Sequence, residues 1–142
     1  LDFHMNVNYK AQVLLAQSFV RTFFLKQRRG SIVAVSSSAS IDANEGRLAY
    51  ASSKSALNTA MRVMSKELGR VNIRFNIVAP GLTDTTLMRE STDAEQISFV
   101  VEQTSLRKFA SPNEISQTIL FLCSDNSSHI TGQVISVDGG LR

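Results

Sequence analysis

A tyrosine and a lysine four residues apart, Tyr50 and Lys54, are the pair in this sequence best suited to moving a proton. Positions four apart on a helix lie on the same face, so both side chains can point into one cleft. An isolated tyrosine has a pKa of about 10, and a nearby ammonium lowers that pKa by favouring the phenolate. The pair can then serve as a general acid and base. The same spacing also suits an ordinary contact in which the tyrosine packs and the lysine extends to water.

Three consecutive serines, Ser36, Ser37 and Ser38, follow the apolar run SIVAV at 31–35. The run is β-branched and nearly free of polar residues, which predicts a strand buried on both faces. Ligands of α/β sheets bind beyond the carboxyl ends of the strands, where a serine and the tyrosine of the next helix would converge. Position after the strand does not distinguish the three serines. The segment APGLTDT at 79–85 follows a second predicted strand and reaches the same edge.

The predicted elements alternate between helix and strand. They are a helix over 1–27 ended by Gly30, a strand at 31–35, a loop over 36–46, a helix over 49–68, a strand over 72–80, a short amphipathic helix within 81–111, a helix opened by the capping box at 111–114, and a strand within 131–140. This alternation predicts parallel strands with right-handed crossovers. A doubly wound sheet normally has about six strands. Because the chain also begins inside a helix, we expect residues 1–142 to be the C-terminal part of a longer domain.

Two predicted helices have an apolar stripe for the sheet. On the first helix the stripe comprises Val7, Ala11, Leu14, Leu15, Phe19 and Phe23. On the second it comprises Tyr50, Lys54, Leu57, Met61, Met64 and Leu68. Small or apolar residues lie off both stripes, namely Ala16, Val20, Ala56, Ala60 and Val63. They would let helices of two subunits approach closely, which predicts a homodimer or homotetramer, or they would cover the missing part of the domain.

Composition excludes several classes of protein. With 142 residues, 43% hydrophobic and 19% charged, the chain is typical of globular domains. The net charge is +3, but the basic residues are scattered, so we expect no nucleic-acid partner. A single cysteine, Cys123, excludes an internal disulfide, and we expect a buried thiol and no metal site. We also expect a cytoplasmic protein without a membrane partner, because no membrane-spanning stretch or signal peptide is visible.

Five ordered motifs resemble those of the short-chain dehydrogenases/reductases, in their single-domain oxidoreductase branch. They are MNVNYKA at 5–11, GSIVAVSSSAS at 30–40, YASSK at 50–54, NIRFNIVAPGLTDT at 72–85 and ITGQVISVDGG at 130–140. The resemblance runs the length of the chain. It implies an α/β fold, the C-terminal portion of a doubly wound, Rossmann-like parallel sheet.

The resemblance also implies four catalytic residues. Tyr50 would exchange a proton with the carbonyl or alcohol oxygen, and Ser37, thirteen residues before it, would hydrogen-bond that oxygen. Lys54 would bind the nicotinamide ribose and lower the pKa of the tyrosine. Asn8 would hold a water that links the lysine to bulk solvent. For Asn8 a capping or surface role is the alternative, and Asn6 is a nearby competitor.

A nicotinamide cofactor, NAD or NADP, is implied with these roles. Besides the tyrosine and lysine, its contacts would be Pro80, Gly81, Thr83 and Thr85, although both threonines also suit a simple turn. The chain lacks the family's Thr-Gly-x-x-x-Gly-x-Gly turn, whose backbone amides bind the pyrophosphate. The choice between NAD and NADP therefore cannot be read, and we expect residues 1–142 alone to be inactive.

The implied function is an NAD(P)-dependent oxidoreductase acting on a small carbonyl or alcohol substrate. One alternative is a nucleotide-sugar epimerase or dehydratase of the extended branch, which the early chain end at VDGGLR disfavours. Another is a non-catalytic, truncated half-domain. Asp42, Asn44 and Arg47 lie between the predicted serine and tyrosine, and they predict a substrate with polar or anionic groups.

Overall fold

A three-stranded parallel sheet organises the chain, whose computed structural model describes residues 1–43 and 45–141. The strands are β1 (Gly30–Val35), β2 (Ile73–Pro80) and β3 (Val134–Val137). β2 lies in the middle and pairs with both neighbours in parallel. The predicted α/β class and parallel strands are confirmed.

Helices connect the strands. They are α1 (residues 2–27, with wider π turns at Met5–Lys10 and Val20–Phe24), α2 (Ala39–Asp42), α3 (Leu48–Leu68), α4 (Thr86–Ser91), α5 (Ala94–Gln103) and α6 (Pro112–Cys123). The predicted capping box at the start of α6 is confirmed, since Ser111 Oγ accepts from Glu114 N and Glu114 Oε2 accepts from Ser111 N. Helix α2 lies inside the segment predicted to be a loop, and two short helices replace the one predicted before α6.

One face of the sheet packs against α1 and α3. Ile73, Phe75 and Ile77 alternate along β2 toward this face and are fully buried. The predicted inner face of α3 is confirmed at its centre, where Leu57 and Met61 are buried in the same cluster. Burying apolar surface of this kind is the main favourable term in folding.

The other face of the sheet packs against α6. Val78 of β2 and two residues of α6, Ile115 and Leu122, form its buried cluster. The next residue, Cys123, is exposed, so the expectation of a buried thiol was wrong. Consecutive helical positions are about 100° apart, and the cysteine is turned away from the sheet that buries its neighbour.

Strand β1 is less buried than its sequence predicts. Ala34 is buried, but Val35 is 45% exposed. Within the described residues β1 pairs only with β2, so its other edge has no neighbouring strand. The apolar run suits a strand covered on all sides, and this part of the chain does not supply that cover.

Helix α1 turns a different face to the sheet from the predicted one. Its sheet-facing residues are Val13, Ala16, Val20 and Phe24. The predicted stripe is exposed at Val7, Ala11, Leu14, Leu15, Phe19 and Phe23. The helix is apolar around most of its circumference, and the small side chain of Ala16 allows the closer approach to the core.

The end of α1 also differs from the prediction. Arg28 adopts the left-handed conformation with φ of 51° and ends the helix, while Gly30 already begins β1. A Cβ at Gly30 would lie 2.5 Å from the ring of Phe24, so the glycine is required for close packing and not for helix termination.

Candidate active site

Helix α3 holds Tyr50 and Lys54 beside the carboxyl end of β1. Both residues are half-buried, and Lys54 Nζ lies 6.0 Å from the centroid of the Tyr50 ring. Lys54 Nζ donates a hydrogen bond of 2.9 Å to the carbonyl oxygen of Val35, the last residue of β1. The sheet edge predicted from the sequence is therefore where this pair lies.

The environment of Lys54 changes its pKa. Burial lowers the pKa of the Lys54 ammonium, because desolvation disfavours the charged form. The hydrogen bond to Val35 partly replaces the lost water. A cation held in this way acts on its neighbours with less screening than one in bulk solvent.

The three serines that follow β1 differ in how deeply they are buried. Ser36 and Ser38 are buried, whereas Ser37 is half-buried. Ser37 and Ser38 both line the cavity described below. Ser37 Oγ accepts a hydrogen bond of 3.3 Å from the backbone N–H of Ala39. Among the described residues none accepts its hydroxyl proton, so Ser37 can donate to a ligand.

Asn8 of α1 contacts the first turns of α3. Its Nδ2 donates to Ser53 Oγ at 3.1 Å, and Ser53 Oγ donates to the carbonyl oxygen of Tyr50 at 2.7 Å. Asn8 lies inside the helix and not at its end, which disfavours a capping role. The competing residue Asn6 is exposed.

His4, to which the sequence assigns no role, is part of the same group. Its ring meets the ring of Tyr50 edge-on with centroids 5.9 Å apart, and its Nδ1 lies 3.4 Å from Asn8 Nδ2. The one available signal is that His4 precedes Asn8 by four residues, the spacing of helical neighbours.

The last residue of β2, Pro80, and the loop after it carry the other four residues predicted to bind cofactor. A Cβ at Gly81 would come within 2.8 Å of Asp138, so only glycine fits between Pro80 and that neighbour. Thr83 Oγ1 donates to Gly81 O at 3.1 Å. Thr85 is the N-cap of α4, with Oγ1 accepting from the N–H of Met88 at 3.1 Å. Both threonines therefore make local turn and cap bonds in this structure.

A cavity of about 1020 Å³ opens beside this edge of the sheet. Ser37 and Gly81 line it, whereas Asn8, Tyr50, Lys54, Pro80, Thr83 and Thr85 are not among its described lining residues. Its charged lining residues are Asp42, Glu45, Arg47, Asp93, Glu95 and Glu102. Partial burial, followed by the charge of Asp138, raises the pKa of Asp42. Asn44, the other residue predicted to face substrate, lies outside the described residues.

Across residues 1–43 and 45–141, no three His, Cys, Asp or Glu side chains converge as a metal site would require. Over the same residues, no helix combines the length and the apolar character needed to cross a membrane.

Comparison with known proteins defines the class. A family model described as enoyl-(acyl carrier protein) reductase matches residues 1–142. The 3-oxoacyl-(acyl-carrier-protein) reductase of Thermotoga maritima is 43% identical over 140 residues, covering 99% of this chain and 56% of that protein. The L-xylulose reductase of Caenorhabditis elegans is 36% identical over 141 residues, covering 99% of this chain and 56% of that protein. A solved structure of 4-hydroxyisoleucine dehydrogenase complexed with NADH has a TM-score of 0.90 at 31% identity, and the match covers 96% of this chain and 56% of the dehydrogenase chain.

The chain belongs to the short-chain dehydrogenase/reductase family, as its motifs predict. It spans about half the length of the relatives it matches. Those relatives are named as reductases and a dehydrogenase.

The lowered pKa of Lys54 predicts how stability changes with pH. Below the lowered folded pKa the ammonium is charged in both folded and unfolded chains, and the folded state carries its desolvation cost. This cost disappears as pH rises from the lowered folded pKa to the unfolded value of about 10.4. Lys54→Met should therefore raise the thermal midpoint of the cofactor-free protein at pH 7, by an amount that shrinks toward pH 10.

The matched control is Lys66→Met, at an exposed position on the same helix. It should leave the pH dependence of the midpoint as in the parent protein. A lower midpoint for Lys54→Met at pH 7, or a difference that does not vary with pH, would contradict the inferred cost.

Proposed function

We propose that the whole protein is an NAD(P)-dependent oxidoreductase that interconverts a carbonyl and an alcohol, with Tyr50 as general acid and base. One observation carries this proposal. Tyr50 and Lys54 lie on one face of α3, and Lys54 is hydrogen-bonded to the carbonyl of Val35, the last residue of β1 and two positions before Ser37. A proton donor, a cation and a hydroxyl thus surround the sheet edge where ligands of α/β folds bind.

The donors present suit a nicotinamide cofactor. Lys54 has three N–H donors, and its bond to Val35 leaves two for the hydroxyls of a ribose. The loop through Pro80, Gly81, Thr83 and Thr85 leaves the adjacent strand, and it would lie beside the nicotinamide. When bound, the cofactor supplies or takes up the hydride. Both NAD and NADP are compatible with these residues.

The chain's own residues account for the proton. In the direction of reduction, Tyr50 gives its phenolic proton to the substrate oxygen while Ser37 donates a hydrogen bond to the same oxygen. Lys54 stabilises the resulting phenolate. Asn8 would hold the water that returns a proton toward Lys54, and its contact with Ser53 fixes its side chain near the first turns of α3.

The charges of the cavity narrow the class of substrate. Five carboxylates and one guanidinium line it, all six belonging to described residues. A negative potential disfavours an anionic ligand and favours a neutral or cationic one. We therefore propose a polar substrate without a free carboxylate or phosphate beside the reacting carbonyl. Of the polar or anionic groups expected from the sequence, this proposal keeps the polar ones.

The assembly belongs to the same proposal. Residues 1–142 would be the C-terminal part of one domain, and this part alone would be inactive. The described residues leave one edge of β1 without a neighbouring strand and expose Leu14, Leu15 and Phe19 on α1. We propose that the rest of the domain covers part of this surface and that a homodimer or homotetramer covers the remainder. Ala16 and Val20, the two residues of α1 predicted to take part in a subunit interface, face the core and do not contribute to one.

We also propose that the protein is cytoplasmic.

Replacing Tyr50 by phenylalanine tests the role of its phenol. In the full-length protein, Tyr50→Phe removes the proton donor and keeps the ring against His4. We expect kcat to fall by about 10²- to 10⁴-fold, the range of general acid–base contributions, with cofactor Kd nearly unchanged. The measurements are steady-state kinetics and cofactor fluorescence titration. Tyr9→Phe, on α1, is the matched control, and parental turnover by Tyr50→Phe would refute the assignment.

A pair of substrates tests the charge of the cavity. A β-keto ester should be reduced with kcat/KM at least about tenfold above that of the corresponding free β-keto acid, because the acid brings a like charge near the carboxylates. Asp42→Asn should narrow this gap, whereas Asp125→Asn, outside the cavity, should not. A preference for the free acid would contradict the proposed substrate class.

A further inference from the structure

Ser40 of α2 connects the segment of Ser37 to helix α3. Its Oγ donates to the carbonyl oxygen of Ser37 at 2.6 Å, and it accepts from Asn58 Nδ2 at 2.8 Å and from Ser36 Oγ at 3.2 Å. Its own carbonyl oxygen accepts from Ser55 Oγ at 2.9 Å. Asn58 and Ser55 both belong to α3, so one residue holds the segment after β1 against the helix that carries the acid–base pair.

The number of available protons fixes the direction of these bonds. Ser40 has one hydroxyl proton, and Ser37 O can only accept, so that proton is committed to Ser37. Asn58 must then present its NH₂ group to Ser40 Oγ. Asn58 is 9% exposed, and its buried Oδ1 has no partner among the described residues. The Asn58 side chain is thus oriented with its NH₂ group toward Ser40, although its Oδ1 has no hydrogen-bond partner among the described residues.

The position of Asn58 along α3 relates this contact to the chemistry. Asn58 follows Lys54 by one helical turn and Tyr50 by two. A displacement of α2 relative to α3 would therefore change the distance between Ser37 and the Tyr50 phenol. The bond chain from Asn58 through Ser40 to Ser37 opposes that displacement.

We propose that Asn58 and Ser40 are positioning residues, which set the Ser37 hydroxyl at the distance from Tyr50 that the reaction requires. This inference rests on the proposed function, since Ser37 and Tyr50 must act on one substrate oxygen for their separation to matter. Neither residue touches the substrate, and their effect is transmitted through the backbone of Ser37.

The test is an isosteric change, Asn58→Asp, in the full-length protein. An aspartate keeps the shape but accepts where the amide donates, so it competes with Ser37 O for the proton of Ser40. We expect kcat to fall between about 10- and 100-fold, the loss typical of a small misplacement of reacting groups. KM and cofactor Kd should stay within about twofold, because neither residue contacts a ligand. Asn113→Asp, exposed at the start of α6, is the control for the chemical change.

Ser40 supplies the second variant in case a buried aspartate prevents folding. Ser40→Ala should lower kcat by a similar factor, and Ser40→Thr, which keeps a hydroxyl, should restore most of it. In Ser40→Ala, the further change Asn58→Asp should have little additional effect on kcat, because the bond that it disturbs is already absent.

Two results would overturn the proposal. One is a parental kcat in Ser40→Ala. The other is a parallel change of kcat, KM and cofactor Kd in both variants, which would indicate general loosening of the fold. Tyr50→Phe, measured alongside, distinguishes a failure of the positioning role from a failure of the proposed function. Full activity of Tyr50→Phe would contradict the proposed function. An inactive Tyr50→Phe together with a fully active Ser40→Ala would contradict only the positioning role.

Discussion

The hydrogen bond from the Lys54 ammonium to the carbonyl oxygen of Val35 is the contact on which the candidate site depends. It joins the inner face of α3 to the last residue of β1, and the segment of Ser37 begins immediately after that residue. Burial lowers the pKa of this ammonium, so holding it here has a cost. That cost is typical of functional sites, where a group is placed for chemistry and the surrounding fold compensates.

The compensation comes from the packing of α3 on β2. Leu57 and Met61 are buried against Phe75 in the larger core, on the side of the sheet that α3 shares with α1. The same helix therefore has an apolar middle that anchors it and a polar first half that carries Tyr50 and Lys54. The polar half is tied down by hydrogen bonds to α1 and α2 through Ser53 and Ser55. The reacting groups are thus held by rigid elements, although the segment of Ser37 is irregular.

The sequence predicts the parts of this arrangement that depend on local pattern. The three strands and the inner face of α3 follow from short apolar runs and helical spacing. The face of α1 was predicted wrongly, because periodicity cannot choose between two apolar stripes when the helix offers both. Ser37 could be separated from its neighbours only by resemblance, and the burial of Ser36 and Ser38 agrees with that choice. His4, Ser40 and Asn58 were missed, because their contacts join different elements and leave no periodic signal.

The most direct measurement is a crystal structure of the full-length protein with a nicotinamide cofactor and an unreactive substrate analogue. We expect the analogue's oxygen to lie about 3 Å from both Tyr50 Oη and Ser37 Oγ, within hydrogen-bonding reach of each. We also expect Lys54 to keep its bond to Val35 while donating to the cofactor ribose. An analogue oxygen bound away from Tyr50, or a Lys54 side chain turned away from both the ribose and Val35, would contradict the proposed function.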